Sequence, residues 1–334
     1  MNTKKSIICF LSFVIGAFIT SASHSEDINS IEINIREGAI NYGTPIVLTL
    51  RTMFQQPQKS PITGKPVLGL HLDGLSLQVE NTDTGELCLF PFRMPVTFRL
   101  QGSEGLEYVS RIVVFCDLYK EKKKFIKRII FDKPGVYALD IMRDRNQISN
   151  TLDILVESSN LGEKALSLLE DPNDIAFLLG GIVENSEKKE RSDNLKKITE
   201  ECEGTVLAQW SSARLGIEYF KDFHEKHPSF TKFKEQKEKQ NLTEPFFDDA
   251  YKYLEKGYQL PDEFPIREEI IDKLVRFEYV RGNYDRAISL VDEVETKYPH
   301  SEFGKKASRV KEELIGIKEK EEKEKASEPN IPEE

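Results

Sequence analysis

The strongest constraint on this chain is a change of hydrophobic period near Ser158. Before that point apolar residues recur at every second position, and beyond it at every third and fourth. One segment cannot serve both periods. A strand sends alternate side chains to opposite faces, whereas a helix returns to the same face about every 3.6 residues. The chain therefore divides into a β-rich part and an α-helical part, each long enough to bury a core.

In the first part Ile31, Ile33 and Ile35 alternate with polar residues, as a half-buried strand does. Further strand patterns cover 47–53, 75–79, 87–90, 96–100, 108–118, 125–131, 136–141 and 152–156. Turn-forming runs at 81–85, 120–124 and 132–135 separate several of them. Short strands without an intervening helical period predict an antiparallel β-sandwich over residues 24–158. The stretch FDKPGVYALDI, from Phe131 to Ile141, resembles the Pro-Gly turn and Tyr-bearing strand found late in immunoglobulin-like domains. The Cys-Trp-Cys core of a true immunoglobulin domain is missing, since the single tryptophan, Trp210, lies outside. Residues 55–66 read as a surface loop or short linker. The basic run 119–124 reads as a solvated hairpin tip whose charges discourage edge pairing. Its sharper reading, a contact for an anionic polymer or lipid head group, needs more charge than this run supplies.

In the second part, residues 159–203 hold short helices and a charged connector. Asp171 followed by Pro172 is a strong helix start. The connector 184–203 reads as a solvated helix or a mobile link. Residues 204–320 form the helical domain, with helices expected at 206–224, 246–254, 266–281 and 302–320, and with 232–241 a loop or frayed extension. The tail 321–334 is rich in Glu, Lys, Pro and Ser and is expected to stay disordered.

Within the helical part, GNYDRAISLVDEVETKYPHSEFGKKA, from Gly282 to Ala307, reads as the turn and second helix of a hairpin, then the start of another helix. The spacing of Gly282, Tyr284, Ala287, Pro299 and Ala307 resembles the tetratricopeptide repeat (TPR), and its KYPHS stretch is similar to the variant frequent in bacterial envelope proteins. The match covers residues 268–317. A weaker copy lies in FFDDAYKYLEKG, where Ala250 stands in for Ala287. Val275 and Glu278 depart from the small and aromatic residues that the family favours. The resemblance implies protein or peptide binding on a concave helical surface.

The N-terminus has Lys4 and Lys5 ahead of a short apolar run, then small residues with Ala22 and Ser23 as cleavage positions. This is the layout of a secretory signal peptide over residues 1–23, with an uncleaved anchor as the competing reading. No second apolar stretch reaches membrane-spanning length. An exported protein, periplasmic or extracellular, is expected. Residues 24–158 carry 16 Lys/Arg against 17 Asp/Glu, and residues 159–334 carry 29 against 40. With no basic footprint at domain scale, nucleic-acid binding is excluded as an expectation. An oxidising compartment would allow Cys88 and Cys116 to form a disulfide, and buried free thiols are the alternative.

The search for chemistry finds little. Gly74-Leu75-Ser76 begins like a nucleophile elbow but lacks the closing glycine. His224 and His227 are one residue short of the zinc-protease spacing, and Pro228 marks a helix end there. Asn81, Asp83 and Glu86 miss the calcium-loop spacing. No cofactor, metal site or catalytic residue is expected. The residues point to an exported, non-enzymatic interaction or scaffold protein. A hydrolase or hydrolase inhibitor with a site between the domains, or a carbohydrate-binding sandwich, are the alternatives.

Overall fold

The computed structural model describes residues 28–54, 75–91, 98–102, 107–121, 124–180, 185–240, 244–299 and 301–327. The expected signal peptide, the 55–66 loop and the end of the tail lie outside these residues. A β-rich N-terminal region is followed by a helical C-terminal one.

One sheet has the order β1-β3-β7-β6, from β1 (Ile28–Asn34), β3 (Ile46–Phe54), β6 (Phe98–Gly102) and β7 (Glu107–Val114), paired antiparallel throughout. The second runs β2-β12-β10-β4-β5, from β2 (Ala39–Asn41), β4 (Leu75–Asn81), β5 (Glu86–Pro91), β10 (Gly135–Arg143) and β12 (Leu152–Glu157). The short β11 (Asn146–Gln147) pairs with β10. This sheet is not wholly antiparallel, which corrects the sequence expectation. β2 leaves the first sheet between β1 and β3 and joins the second parallel to β12. Three residues gave too short a pattern for the sequence to reveal that switch.

Alternation explains the first core. Ile31, Ile33, Leu48, Leu50, Ile112 and Val114 of one sheet share an apolar cluster with Leu77, Val79, Leu139, Ile141, Ile154 and Val156 of the other. Burying each such side chain contributes about 1.5–3 kcal/mol. The Tyr137 hydroxyl donates to the Lys133 carbonyl at 2.7 Å, and its ring packs edge-on against Phe131.

The pattern at 108–118 is two strands rather than one. It breaks at Phe115, after which β8 (Cys116–Glu121) pairs with β9 (Lys124–Ile129) in a separate hairpin. Both faces of the chain are buried here. Ile112 and Val114 face the sheet core, while Val113, Phe115 and Leu118 belong to the helical core. Phe115 meets Trp210 edge to face, with ring centroids 6.1 Å apart. The β-rich and helical regions therefore share an apolar junction.

The helical region begins with α1 (Asn160–Leu168), capped by Ser159, and α2 (Pro172–Leu178), capped by Asp171. The charged stretch thereafter is α3 (Asn185–Glu201), which is packed rather than mobile. Leu195, Ile198 and Cys202 are buried along one side. Arg191, on the same side, reaches Asp171 at 2.5 Å and Asp174 at 3.0 Å. Next comes α4 (Val206–Lys226), capped by Thr205, and the polar stretch after it is also helical, as α5 (Phe230–Gln240). The chain continues with α6 (Pro245–Gly257), α7 (Arg267–Arg281), α8 (Tyr284–Lys297), a short 3-10 turn (Gly304–Lys306) and α9 (Ala307–Ser327).

The axes of α4 and α6 approach closely because the contact is made by small residues. A Cβ at Gly257 would lie 2.6 Å from Ala213 Cα, and one at Gly216 would lie 2.7 Å from the Leu254 nitrogen. Gly282 ends α7 in the left-handed region, φ 73°, where a side chain is strained. The charged segment after Lys320 continues α9. Glu321 accepts from Lys234 at 2.5 Å, and the Tyr284 hydroxyl bonds both side chains.

Candidate functional site

A cleft of about 400 Å³ opens between the end of α2, the middle of α4, the start of α7 and the turn ahead of α9. That volume falls within the range of small-ligand and side-chain pockets. Leu178, Leu179, Trp210, Ile266 and Phe303 supply apolar lining. Trp210 is held from behind by Phe115 and by Phe264, whose ring centroid is 5.3 Å away. Around the opening stand Glu268, Glu269 and Asp272 of α7 and Glu302 across from them. The first two lie in the first turn of α7, where carboxylates suit the positive end of the helix dipole.

Arg214 is the cation in the cleft lining. It occupies the buried side of α4, one residue after Ala213, and only 7% of its surface is exposed. Its guanidinium lies over the Phe177 ring at 5.1 Å. Nη2 pairs with Glu218 one turn on at 3.0 Å, yet Nε has no hydrogen-bond partner. Nη1 lies against the cleft wall, 3.6 Å from where a Cβ on Gly180 would stand. Burial pushes the Arg214 pKa down, opposed by the charges of Glu218 and Glu269.

Glu218 is shared. Besides Arg214 it accepts from Lys221 at 2.7 Å and pairs with Lys188 at 3.3 Å. Burial alone would raise its pKa, but Arg214, Lys221 and Lys188 outweigh that and hold it below the ordinary range. Three cations around one carboxylate leave Arg214 with donor capacity to spare. Three of the rim carboxylates are also paired: Glu269 with Lys273 at 2.8 Å and Asp272 with Arg276 at 3.2 Å, each one turn along α7, and Glu302 with Lys306 at 3.6 Å. Those cations are absent from the cleft lining, whose charged groups are four carboxylates and Arg214.

The residues singled out from the sequence lie elsewhere. Tyr284, Ala287 and Ala307 are buried in the stacking of α7, α8 and α9; Gly282 and Pro299 end helices and do not line the cleft. Glu278 is fully buried and well matched. It accepts from Tyr251 and Asn283, each at 2.7 Å, and faces Arg286 Nε at 3.2 Å. Cys88 lies in β5, Cys116 opens β8 and Cys202 follows α3; all three are free thiols. Burial pushes the Cys116 thiol up to about 12, which removes its nucleophilic thiolate at neutral pH.

His224 and His227 stand in an aromatic cluster. His224 stacks on Phe220 and Phe230 with centroids 5.9 and 5.8 Å away. His227 packs on Phe223 and Phe233 and comes within 3.5 Å of Glu244. Among the described residues no group of His, Cys, Asp and Glu is arranged to hold a metal. No helix among them is long and apolar enough to cross a membrane.

Two further hollows lie at the junction of the β-rich and helical regions. One, about 110 Å³, is lined by Ile35, Ile46, Val47, Val206 and Phe264 among others. The other, about 370 Å³, brings Glu37, Glu157 and Glu203 together with Ser159 and Thr205. Both hydroxyls are spent as helix caps, accepting from Gly162 and Ala208. The sequence offered no pointer to the larger cleft, because its lining comes from four separated stretches. A single arginine on the apolar side of α4 was the one visible signal. No family model matches this chain, and no curated protein matches it.

Proposed function

We propose that this chain is an exported, non-catalytic docking protein. In this reading an immunoglobulin-like sandwich braces a set of TPR-like helical hairpins, and the cleft between α2, α4 and α7 receives a segment of a partner protein. The observation that carries the reading is the cleft itself, with an apolar floor, a buried arginine holding spare donors, and no His or Cys in its lining. The Tyr137 hydroxyl bond to the Lys133 carbonyl supports the immunoglobulin-like assignment, since such sandwiches carry a tyrosine corner of this kind. The glycine-mediated approach of α4 and α6, and the left-handed Gly282 between α7 and α8, support the repeat-like one. The insertion of α5 between α4 and α6 departs from a tandem repeat.

The experiment keeps the mature chain whole, because separating the halves would expose Phe115 and Trp210. A photo-crosslinking residue is placed at Phe303 in one protein and at Leu155, on the far sheet, in another. The docking reading predicts one prominent adduct from the Phe303 position in the native envelope and none from Leu155. The adduct partner, purified, should then bind the unmodified chain in calorimetry. Purified pairs that fail to bind more tightly than about 1 mM would refute the reading.

A further inference from the structure

The cleft carries enough chemistry to name its occupant, on the assumption that the docking reading holds. We infer that it takes an extended segment of a partner protein in which lysine or arginine neighbours an aliphatic residue. The aliphatic side chain enters the floor, the basic side chain meets the rim carboxylates, and Arg214 donates to a backbone carbonyl of the segment.

Each part follows from a separate observation. Leu178, Leu179, Ile266 and Phe303 form a surface that gains from covering by an apolar group. Arg214 is more than nine-tenths buried, and its Nε–H has no acceptor within the protein. That nitrogen has no accessible surface, so the donor a ligand in the cleft can reach is Nη1, which lies against the cleft wall at Gly180. The carboxylate nearest Arg214 is engaged by Nη2 and shared with Lys221 and Lys188, which leaves Nη1 for a ligand carbonyl.

The rim then selects the sign of the ligand's side chain. Four carboxylates, Glu268, Glu269, Asp272 and Glu302, line the cleft, and the last three each pair with one cation and keep lone pairs for a further donor. A free carboxylate ligand would meet repulsion from these groups before reaching Arg214. A peptide carbonyl, uncharged and accompanied by a cationic side chain, passes them favourably. The chain's own terminal segment, residues 328–334, is excluded as occupant by charge, since it contains three Glu and no Lys or Arg.

The probes are short fluorescein-labelled peptides read by anisotropy with the whole mature chain: alternating Lys/Leu, alternating Glu/Leu, and alternating Lys/Ser. The Lys/Leu peptide should bind at least about tenfold more tightly than either of the others. Reversing the rim in a Glu268→Lys/Glu302→Lys protein should weaken it by about tenfold or more. Reversing two exposed carboxylates of α9, Glu312→Lys/Glu313→Lys, makes the same change of net charge and should leave binding unaltered. Arg214→Met keeps an aliphatic stem over Phe177 and should weaken binding. Arg214→Lys retains the charge without the guanidinium fork and should not restore it. Thermal melts confirm that each variant is folded.

The inference is overturned if the Glu/Leu or Lys/Ser peptide binds as tightly as Lys/Leu. It is equally overturned if the α9 reversal matches the rim reversal, or if spermine displaces the peptide without any contribution from leucine. Failure here and failure of docking in general are separable. A crosslinked partner that still binds the rim-reversed protein leaves the docking reading standing and removes this one.

Discussion

Phe115→Ala tests the junction between the β-rich and helical regions most directly. Phe115 is 4% exposed, sits where β7 gives way to β8, and meets Trp210 edge to face at 6.1 Å. Truncating a buried phenylalanine costs about 3–5 kcal/mol, made of lost transfer energy and the cavity left behind. About 0.5–1.5 kcal/mol of that belongs to the ring pair. The cavity will not close readily, because Val113 and Leu118 are fixed by strands and Trp210 by α4. Against a total stability of about 5–15 kcal/mol, the loss is a large fraction. Trp210 is the only tryptophan and touches the deleted ring, so its emission reads the junction without labelling. Urea unfolding followed by this emission and by helical circular dichroism should show both signals moving together to a lower midpoint. A shift below about 1 kcal/mol with unaltered tryptophan emission would refute the placement of Phe115.

Other consequences follow from the same packing. Gly257→Ala forces a methyl group to within 2.6–2.8 Å of Ala213 and should destabilise the chain by about 1–3 kcal/mol, measured by urea denaturation. Truncation after Lys320 removes Glu321 from Lys234, which is 8% exposed on its side chain. Because Glu321 is itself partly solvated, a loss of about 1 kcal/mol is expected, and an unchanged melting temperature would count against the contact. Glu218, Asp262 and Glu293 are each held below the ordinary carboxylate range; burial pushes them up, but their cationic and hydroxyl partners prevail. A lowered folded pKa gives stability that is present above the ordinary values, 4.5 for Glu and 3.8 for Asp, and is lost as pH falls through the folded values. Asp174, raised by burial, acts in the opposite sense alone. The urea midpoint should therefore fall on acidification below about pH 4.5, and a flat profile there would contradict these pairings.

The division into strands and helices was legible because both periods are clean: Leu75, Leu77 and Val79 alternate, and Ala287, Leu290, Val291 and Val294 keep helical spacing. What escaped was burial that does not follow one period. Around Phe115 both faces of the chain are buried, Ile112 and Val114 in one core and Val113, Phe115 and Leu118 in the other, so no polar residue marks where β7 ends and β8 begins. In α3, Arg191, Leu195 and Ile198 recur at helical spacing with Cys202 just beyond its end, but a charge-dense sequence hides a face whose arginine is paired inside. In α5, Lys234 is buried through partners 50 and 87 residues away, which no local pattern can show. The repeat-like residues, being structural, led to the hairpin and away from the cleft. Its lining, spread from Leu178 to Phe303, converges only once α2, α4 and α7 have stacked.

That convergence places Trp210 in two roles at once. One part of its indole meets Phe115 and Phe264, and the residue also lines the cleft. With 1% of its surface exposed it has little freedom to reorient, so the floor is set before any ligand arrives. A preformed floor avoids the ordering cost of an adaptable one, commonly about 0.5–1.5 kcal/mol for each immobilised side chain. Occupancy should then change the emission of Trp210 without moving the backbone around it. Titrating the Lys/Leu peptide should give a saturable change in intensity in the wild-type chain, with the same midpoint as anisotropy. In Phe115→Leu, which leaves the cleft lining intact but loosens the support behind it, the midpoint should rise by a few-fold while rim pairing is retained. An identical midpoint in that variant would show that the β-rich region does not brace the cleft, and the floor would then owe its order to α4 and Phe264 alone.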